Sequence, residues 1–389
     1  DFAAAKNFAI SKAKYEWIAL LDADEYFLEE DAKKLLFYVR QLQNKDYDAI
    51  LSSWVHLNNE NQVMAVGTQS RVFRNRPGLR YVGRVHETIM AVDGSNFKFV
   101  DGVNELAIYH LGYGKMQHME KASSGRNLKI ILKELEERPD SHQMLGYLGD
   151  EYLSVNDLEK AEEAFRKAIS LMPDTVEYVD PIRASMTFTK LLEILYARGN
   201  TPEDVFMEIY HKAIKRLPEE ADFDYYAGKY YSRMKNFPEA EKYLKRALDQ
   251  LEKYGTAFKS MFLSGDIREA YEMLAACCFN NHNLAECINY SVILLKADRY
   301  LANTVLLLLT SFLLDEASER EGAAPAEAVA QFLGQNLYDF TSLKDRLFVL
   351  KIAMKLQYHS LVEVMRGMFS PEELTAVDQA MAEENGKNS

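Results

Sequence analysis

The chain has 389 residues, 48% of them hydrophobic and 27% charged, enough to bury two or three cores and to exclude wholesale disorder. A net charge of −13 argues against a general binder of nucleic acid or anionic membranes, and most of the acidity lies beyond residue 125. The longest apolar run, Val305 to Leu314, is broken by Thr310 and Ser311, so it reads as a buried helix and not a membrane span. The opening residues DFAAAKNFAISKAK lack the regions of a secretion signal and an initiator Met, which points to a piece of a longer protein. Cys277, Cys278 and Cys287 lie in one helical region without CxxC spacing. They read as packed thiols in a reducing compartment, hence the expectation of a cytoplasmic protein.

In chain order, FAAAKNFAISKA has helical spacing, WIALLD that of a buried strand, and DAKKLLFYVRQLQN is helical again. DAILSSWVHL, QVMAVG, SRVFR and KFVDGVNELAIYHLG are strand-like. Helices alternating with short strands predict an α/β layer over residues 1–122. From about Ser123 the strand signal vanishes. The pattern predicts a connecting helix over 123–140, helical repeats over 141–302, and closing helices with a frayed tail over 303–389.

The repeats carry small residues where two antiparallel helices must approach, with aromatic residues filling the space between. Leu148-Gly149, Tyr152, Ala161, Phe165, Ala168 and Pro173 form the clearest unit. Gly228, Tyr231, Phe237, Ala240, Leu244 and Ala247 form a second, and Leu191, Gly199-Asn200, Ala213 and Pro218 a looser one between them. A fourth has Leu274-Ala275, Cys278, Asn283-Leu284, Cys287 and Leu294, where cysteine stands in for a small contact residue. The pattern resembles an irregular tetratricopeptide array, an all-α solenoid of a kind that more often binds than catalyses.

Chemistry is therefore sought upstream. In WIALLDADEYFLEED a hydrophobic strand delivers Asp22 and Asp24 into a loop, where two carboxylates can share a divalent ion. Either residue could instead cap the helix beginning near Glu29. A calcium loop counted from Asp22 needs Gly where Phe27 stands. An aspartyl phosphotransferase is disfavoured by Tyr26.

Four ordered stretches resemble one family. DFAAAKNFAISKAKYEWIALLDADEYF, SRVFRNRPGLRYVGRVHETI, IYHLGYG and GRNLKIILKELEERPD look like the middle of a family 2 glycosyltransferase of the Rossmann-like GT-A fold, running into tetratricopeptide repeats. The arrangement is similar to bacterial peptide S-glycosyltransferases. The resemblance implies that a nucleotide-binding half of the domain, with its own strand, helix and D-x-G-S-x-D-type segment, lies upstream of Asp1. It also implies a nucleotide-sugar donor and Mn²⁺ or Mg²⁺ held by Asp22 and Asp24, with His110 as a third ligand. In GRVHE, Glu87 is the expected general base, with His86 orienting it or contacting the phosphate, and a salt bridge from Glu87 to Arg84 or Arg80 as the alternative. Lys6 and Asn7 occupy the family's Arg/Lys-Asn pair and are expected to act through packing or phosphate-side electrostatics. Arg71, Arg74, Arg76, Arg80 and Arg84 could attract a diphosphate or form a solvated edge. Trp54 and His56 could line a sugar or acceptor pocket, although Trp54 reads first as a core residue. The expected function is metal-dependent, inverting sugar transfer to a peptide or protein acceptor docked by the repeats, which could also self-associate. The alternative is a non-catalytic repeat scaffold carrying a truncated or degenerate transferase domain.

Overall fold

Asp1 accepts a hydrogen bond from the amide of Ala4 and caps helix α1, Phe2–Ile10. The computed structural model describes residues 1–111, 125–174, 181–255, 259–317 and 325–387. Contacts group it into two units, Asp1–Leu191 and Leu192–Ser389.

In the first unit, β1 (Trp17–Ala19), β2 (Glu25–Tyr26), helix α2 (Glu29–Leu42), β3 (Ala49–Leu57) and β4 (Val63–Arg74) follow α1. Then come β5 (Leu79–Val82), β6 (Thr88–Ala91), β7 (Phe99–Asp101) and β8 (Ala107–His110). Six strands form one sheet in the order β1-β4-β3-β8-β2, with β7 also on β3, while β5 and β6 form a separate hairpin. Strand alternation splits the apolar residues between two faces. Ala49 and Phe73, directly opposed, join Ala3, Ile10, Leu79, Tyr81 and Ile89 under α1 and the hairpin. Their neighbours Ile50 and Val72 join Leu42 and Leu106 under α2.

Sequence spacing and structure differ in three places. The WIALLD strand stops at Ala19, QVMAVG and SRVFR are one twelve-residue strand, and KFVDGVNELAIYHLG breaks at Gly102 into β7 and β8. Gly102 donates its amide to the Leu51 carbonyl, and a bulge shifts the register of β3 between Ile50 and Ser52, so local pairing overrides the continuous apolar pattern. The β5–β6 hairpin alternates in burial but has strands of only four residues, too short to stand out in the sequence.

Three helices complete the unit's packed core: α3 (Arg126–Glu137), α4 (His142–Ser154) and α5 (Leu158–Leu171). A sixth helix, α6 (Pro181–Ala197), runs across the boundary between the units. The α4/α5 pair needs its glycine: a Cβ on Gly149 would stand 2.4 Å from the Phe165 ring. Val85, in the β5–β6 connection, is buried with Ile131, Leu145, Leu148, Ala164 and Ala168. The sheet region and the first helical repeat therefore share a core.

The second unit is helical throughout its described residues. Helices α7 (Glu203–Arg216), α8 (Ala221–Arg233) and α9 (Phe237–Tyr254) pack around Phe206, Tyr210, Tyr230 and Leu244. Gly228 again takes the close approach, its Cβ position 2.6 Å from Leu244. Cys277, Cys278 and Cys287 are free and fully buried at helix contacts, and burial raises the pKa of each. Residues from Leu295 to Val377 form one continuous apolar cluster. No described helix is long and apolar enough to cross a membrane. Of the sequence motifs, Gly112-Tyr113, the turn from Arg320 to Ala324 and the residues around Ser123 lie outside the described residues.

Candidate functional site

Asp22 and Asp24 occupy the link between β1 and β2, beside the ends of β3 and β8. Neither caps α2: its N-cap is Leu28, which makes no side-chain cap bond. The capping alternative is excluded, because the two-residue strand β2 intervenes between both aspartates and the helix start.

The two aspartates face different partners. Arg71 donates from Nη2 to Asp22 Oδ2 at 2.8 Å and to Glu25 Oε1 at 2.6 Å, and from Nε to Glu25 Oε1 at 3.1 Å. The Glu25 side chain is fully buried and also accepts from the Asp22 amide at 2.9 Å. Burial works against the Arg71 charge, but bonding to Glu25 and the charges of Glu25 and Asp22 outweigh it and raise the pKa. Lys6 then links Asp22 Oδ1, 3.0 Å away, to Glu87 Oε1, 2.7 Å away. Its pKa is raised too, with burial opposing and the bond to Glu87 prevailing.

Asp24 lies apart from these cations. Its Oδ2 is 3.2 Å from His110 Nε2. The strand register explains this: Glu25 opposes His110, and Leu111 donates its amide to the Asp24 carbonyl. On the other side of β8, His56 stands level with His110 in the parallel β3 pairing, and their Nδ1 atoms are 3.1 Å apart. Trp54, two residues before His56 and on the same face, packs its ring 4.1 Å from His56 and 5.3 Å from His110. Burial, and then the proximity of His110, push the His56 pKa down to about 4.

Among the described residues no three His, Cys, Asp or Glu side chains converge as a metal site. Asp24 and His110 do fit a divalent ion as a pair. Adjacent ligands on an octahedral ion with bonds near 2.1 Å stand about 3 Å apart, and such ions take their other ligands from water and phosphate oxygens. Asp22 is engaged by Lys6 and Arg71 instead.

The remaining candidates divide between site and scaffold. Glu87 reaches the cluster, but its partner is Lys6 and not the Arg84 or Arg80 of the sequence expectation. Arg84 turns away to Glu134 and Glu137 on α3, with Nη2 2.7 Å from both carboxylate oxygens of Glu137. Asn7 clamps β5, donating to the Tyr81 carbonyl and accepting from the Tyr81 amide, both at 2.9 Å. Arg74 and Arg80 donate to backbone carbonyls and Arg76 pairs with Asp48 and Asp93, so of the five arginines only Arg71 enters the cluster.

His86 stacks on Tyr147 of α4, with ring centres 3.7 Å apart and planes within 7°. It has φ +52°, and Gly83 φ +100°, so the connection folds tightly around buried Val85. His86 is an exposed residue, yet the protein packed around its ring displaces water and, with Arg183 adding its charge, pushes its pKa down to about 4.

Glu25 and Tyr147 escaped the sequence reading. A glutamate directly after Asp-x-Asp and an arginine beside Val72-Phe73 in a buried strand were the available signals. Tyr147 lay inside a repeat helix with nothing to mark it.

Residues 1–100 match the family model for glycosyl transferase family 2, and residues 142–175 match that for the tetratricopeptide repeat. The chain thus joins a sheet-rich segment similar to glycosyl transferase family 2 to helices that include a match to the tetratricopeptide repeat. It is 28% identical over 176 residues to the SPbeta prophage-derived glycosyltransferase SunS of Bacillus subtilis, a match covering 44% of this chain and 39% of the relative. A TPR repeat-containing protein of Synechococcus elongatus is 26% identical over 177 residues, covering 43% of this chain and 42% of that protein. The chain therefore spans about two fifths of the curated relatives it matches. Among solved structures it aligns with YrrB, a TPR protein with an unusual peptide-binding site, at 19% identity and a TM-score of 0.39, covering 58% of this chain and 97% of YrrB.

Proposed function

We propose that this chain carries the metal and acceptor side of an inverting glycosyltransferase that moves a sugar from a nucleotide-sugar donor to a peptide or protein docked by the repeats. The observation that supports this most is the Asp24–His110 pair, 3.2 Å apart, inside the segment that matches glycosyl transferase family 2. Asp24 and His110 would hold Mn²⁺ or Mg²⁺. A bound ion would neutralise the leaving diphosphate as the glycosidic bond breaks.

The chain's own groups do the rest. Arg71 and Lys6 fix Asp22 beside the Asp24 loop, and Lys6 holds Glu87 toward the same place. Glu87 takes the proton of the acceptor oxygen, nitrogen or sulfur as that atom attacks the anomeric carbon from the face opposite the leaving group. Asn7 and Arg84 serve by fixing the elements on either side. The buried thiols favour a reducing compartment, and we place the reaction in the cytoplasm.

A second reading is a repeat scaffold with an inactive transferase segment, favoured by the ion pairs that occupy Asp22 and Glu87. Calorimetric titration of the full chain with nucleotide sugars and Mn²⁺ separates the two. Metal-dependent donor binding, abolished by Asp24→Asn, is expected; binding unchanged in that variant would contradict the metal role, and no binding to any donor would favour the scaffold.

A further inference from the structure

Strand β4 runs for twelve residues, but β1 pairs only with its last three, Val72 to Arg74, and the Leu20 amide adds one bond to the Arg71 carbonyl. From Val63 to Ser70, nothing among the described residues pairs with its outer edge. Backbone alternation decides which groups that leaves. Ser53 donates its amide to Leu106, just before β8, so Trp54 and His56 bond toward β4, and Gly67 and Ala65 opposite them face inward. The amides and carbonyls of Val66 and Thr68 therefore point out along the open edge. Natural edges of this kind are blunted by charge or proline. This one has neither from Val63 to Ser70, and Val63, Met64 and Val66 are each more than half exposed.

The open edge begins at the candidate site. β1 ends beside Val72 and the chain turns away into the Asp22–Asp24 loop, so a strand added to β4 would lie in line with β1, about 4.8 Å from β4. Directly opposed residues share a face, which puts Gly67 on the side of Trp54, and Trp54 packs on His56 and His110. Gly67 sets no side chain between that strand and the Trp54 ring; a Cβ there would stand 3.8 Å from it.

We propose that the outer edge of β4 holds the acceptor as an added strand. The segment it fits is an extended, uncharged peptide whose backbone bonds to Val66 and Thr68 and whose apolar residues cover Val63, Met64 and Val66. The edge runs into the region of Asp24 and His110, where an acceptor must arrive and a second copy of the chain need not. The proposal rests on the transferase reading for what the peptide is there to do.

The test uses the full chain and synthetic end-capped peptides of about ten residues, with Val or Thr at alternate positions and one central cysteine or serine. Hydrogen exchange should slow at the Val66 and Thr68 amides when peptide is added, and versions N-methylated at alternate residues should not bind. Val66→Pro removes an outward amide that no neighbouring strand uses, so the sheet should still form. It should bind peptide about 5–10-fold more weakly, whereas Val66→Ile should bind as the wild type does. Peptide binding with unchanged exchange at these amides, equal affinity in Val66→Pro, or no binding of any peptide would overturn the proposal. So would amides already protected without peptide, whether protection grows with protein concentration, as for a second copy, or not, as for another part of the chain. If peptide binds the edge but receives no sugar when Mn²⁺ and nucleotide sugars are supplied, the transferase reading fails while the edge remains a peptide-docking site. Transfer that Val66→Pro leaves intact would do the reverse. Should Val66→Pro not fold, wild-type exchange and the N-methylated peptides decide.

Discussion

Arg71 is the residue on which the site's charge balance turns. Its side chain is 7% exposed and bridges buried Glu25 to Asp22, so removing it strands a carboxylate in the interior. Arg71→Met should lower stability by about 3–5 kcal/mol, read by urea unfolding, because breaking a buried pair leaves an uncompensated charge. A loss below about 1 kcal/mol would mean that the pair is effectively solvated. His86 gives a pH signature. Its folded pKa of about 4 lies below the unfolded value of 6.5, so the unfolded chain takes up a proton that the native one refuses. Its contribution to stability is therefore present above pH 6.5 and is lost as the pH falls toward 4. His86→Phe, which keeps the stack on Tyr147, should lose less stability than wild type between pH 7 and 5. Equal slopes would show that His86 protonates freely in the native state.

Among elements, the helix pair of the first repeat and the GRVHE connection decide most. Gly149 faces Phe165 at a distance no side chain tolerates, whereas a Cβ on Gly265 would meet nothing within 4 Å. Gly149→Ala should cost about 1–3 kcal/mol by overpacking, and Gly265→Ala should be neutral or slightly stabilising, both by thermal unfolding. Tyr147 supports the connection that carries Glu87. Tyr147→Ala should slow transfer while donor affinity holds, and Tyr147→Phe should restore it, because the ring and not the hydroxyl makes the stack. Much of this was legible in the sequence. Gly149, Phe165 and Ala168 announce the helix pair because steric demand leaves few residue types at a close crossing. The β5–β6 hairpin was not legible, since its two alternating strands are only four residues each and its stability comes from packing of Leu79, Tyr81 and Ile89 with α1. The capping alternative for Asp22 and Asp24 falls because capping preference takes no account of the short strand at Glu25, which is fixed by long-range pairing with His110.

At the scale of the whole molecule, the order of sheet-rich segment and then helical repeats follows from the change of period near Ser123. The sharing of a core between the two does not. Val85 looks like any apolar loop residue until Ile131, Leu145 and Leu148 close over it. Asp24 and His110 were named from motifs, but their separation from Asp22 came only with Arg71 and Lys6 in place, since ion-pair partners distant in sequence leave no local trace. These features converge on Glu87, placed by Lys6 and by the first repeat and proposed as the base for metal-assisted sugar transfer. The most direct test is the rate of sugar transfer by the full chain with Mn²⁺, a nucleotide-sugar donor and a peptide acceptor, in the wild type and in Glu87→Gln. The account predicts that Glu87→Gln binds the donor normally and transfers at least about 100-fold more slowly; full activity in that variant would contradict it.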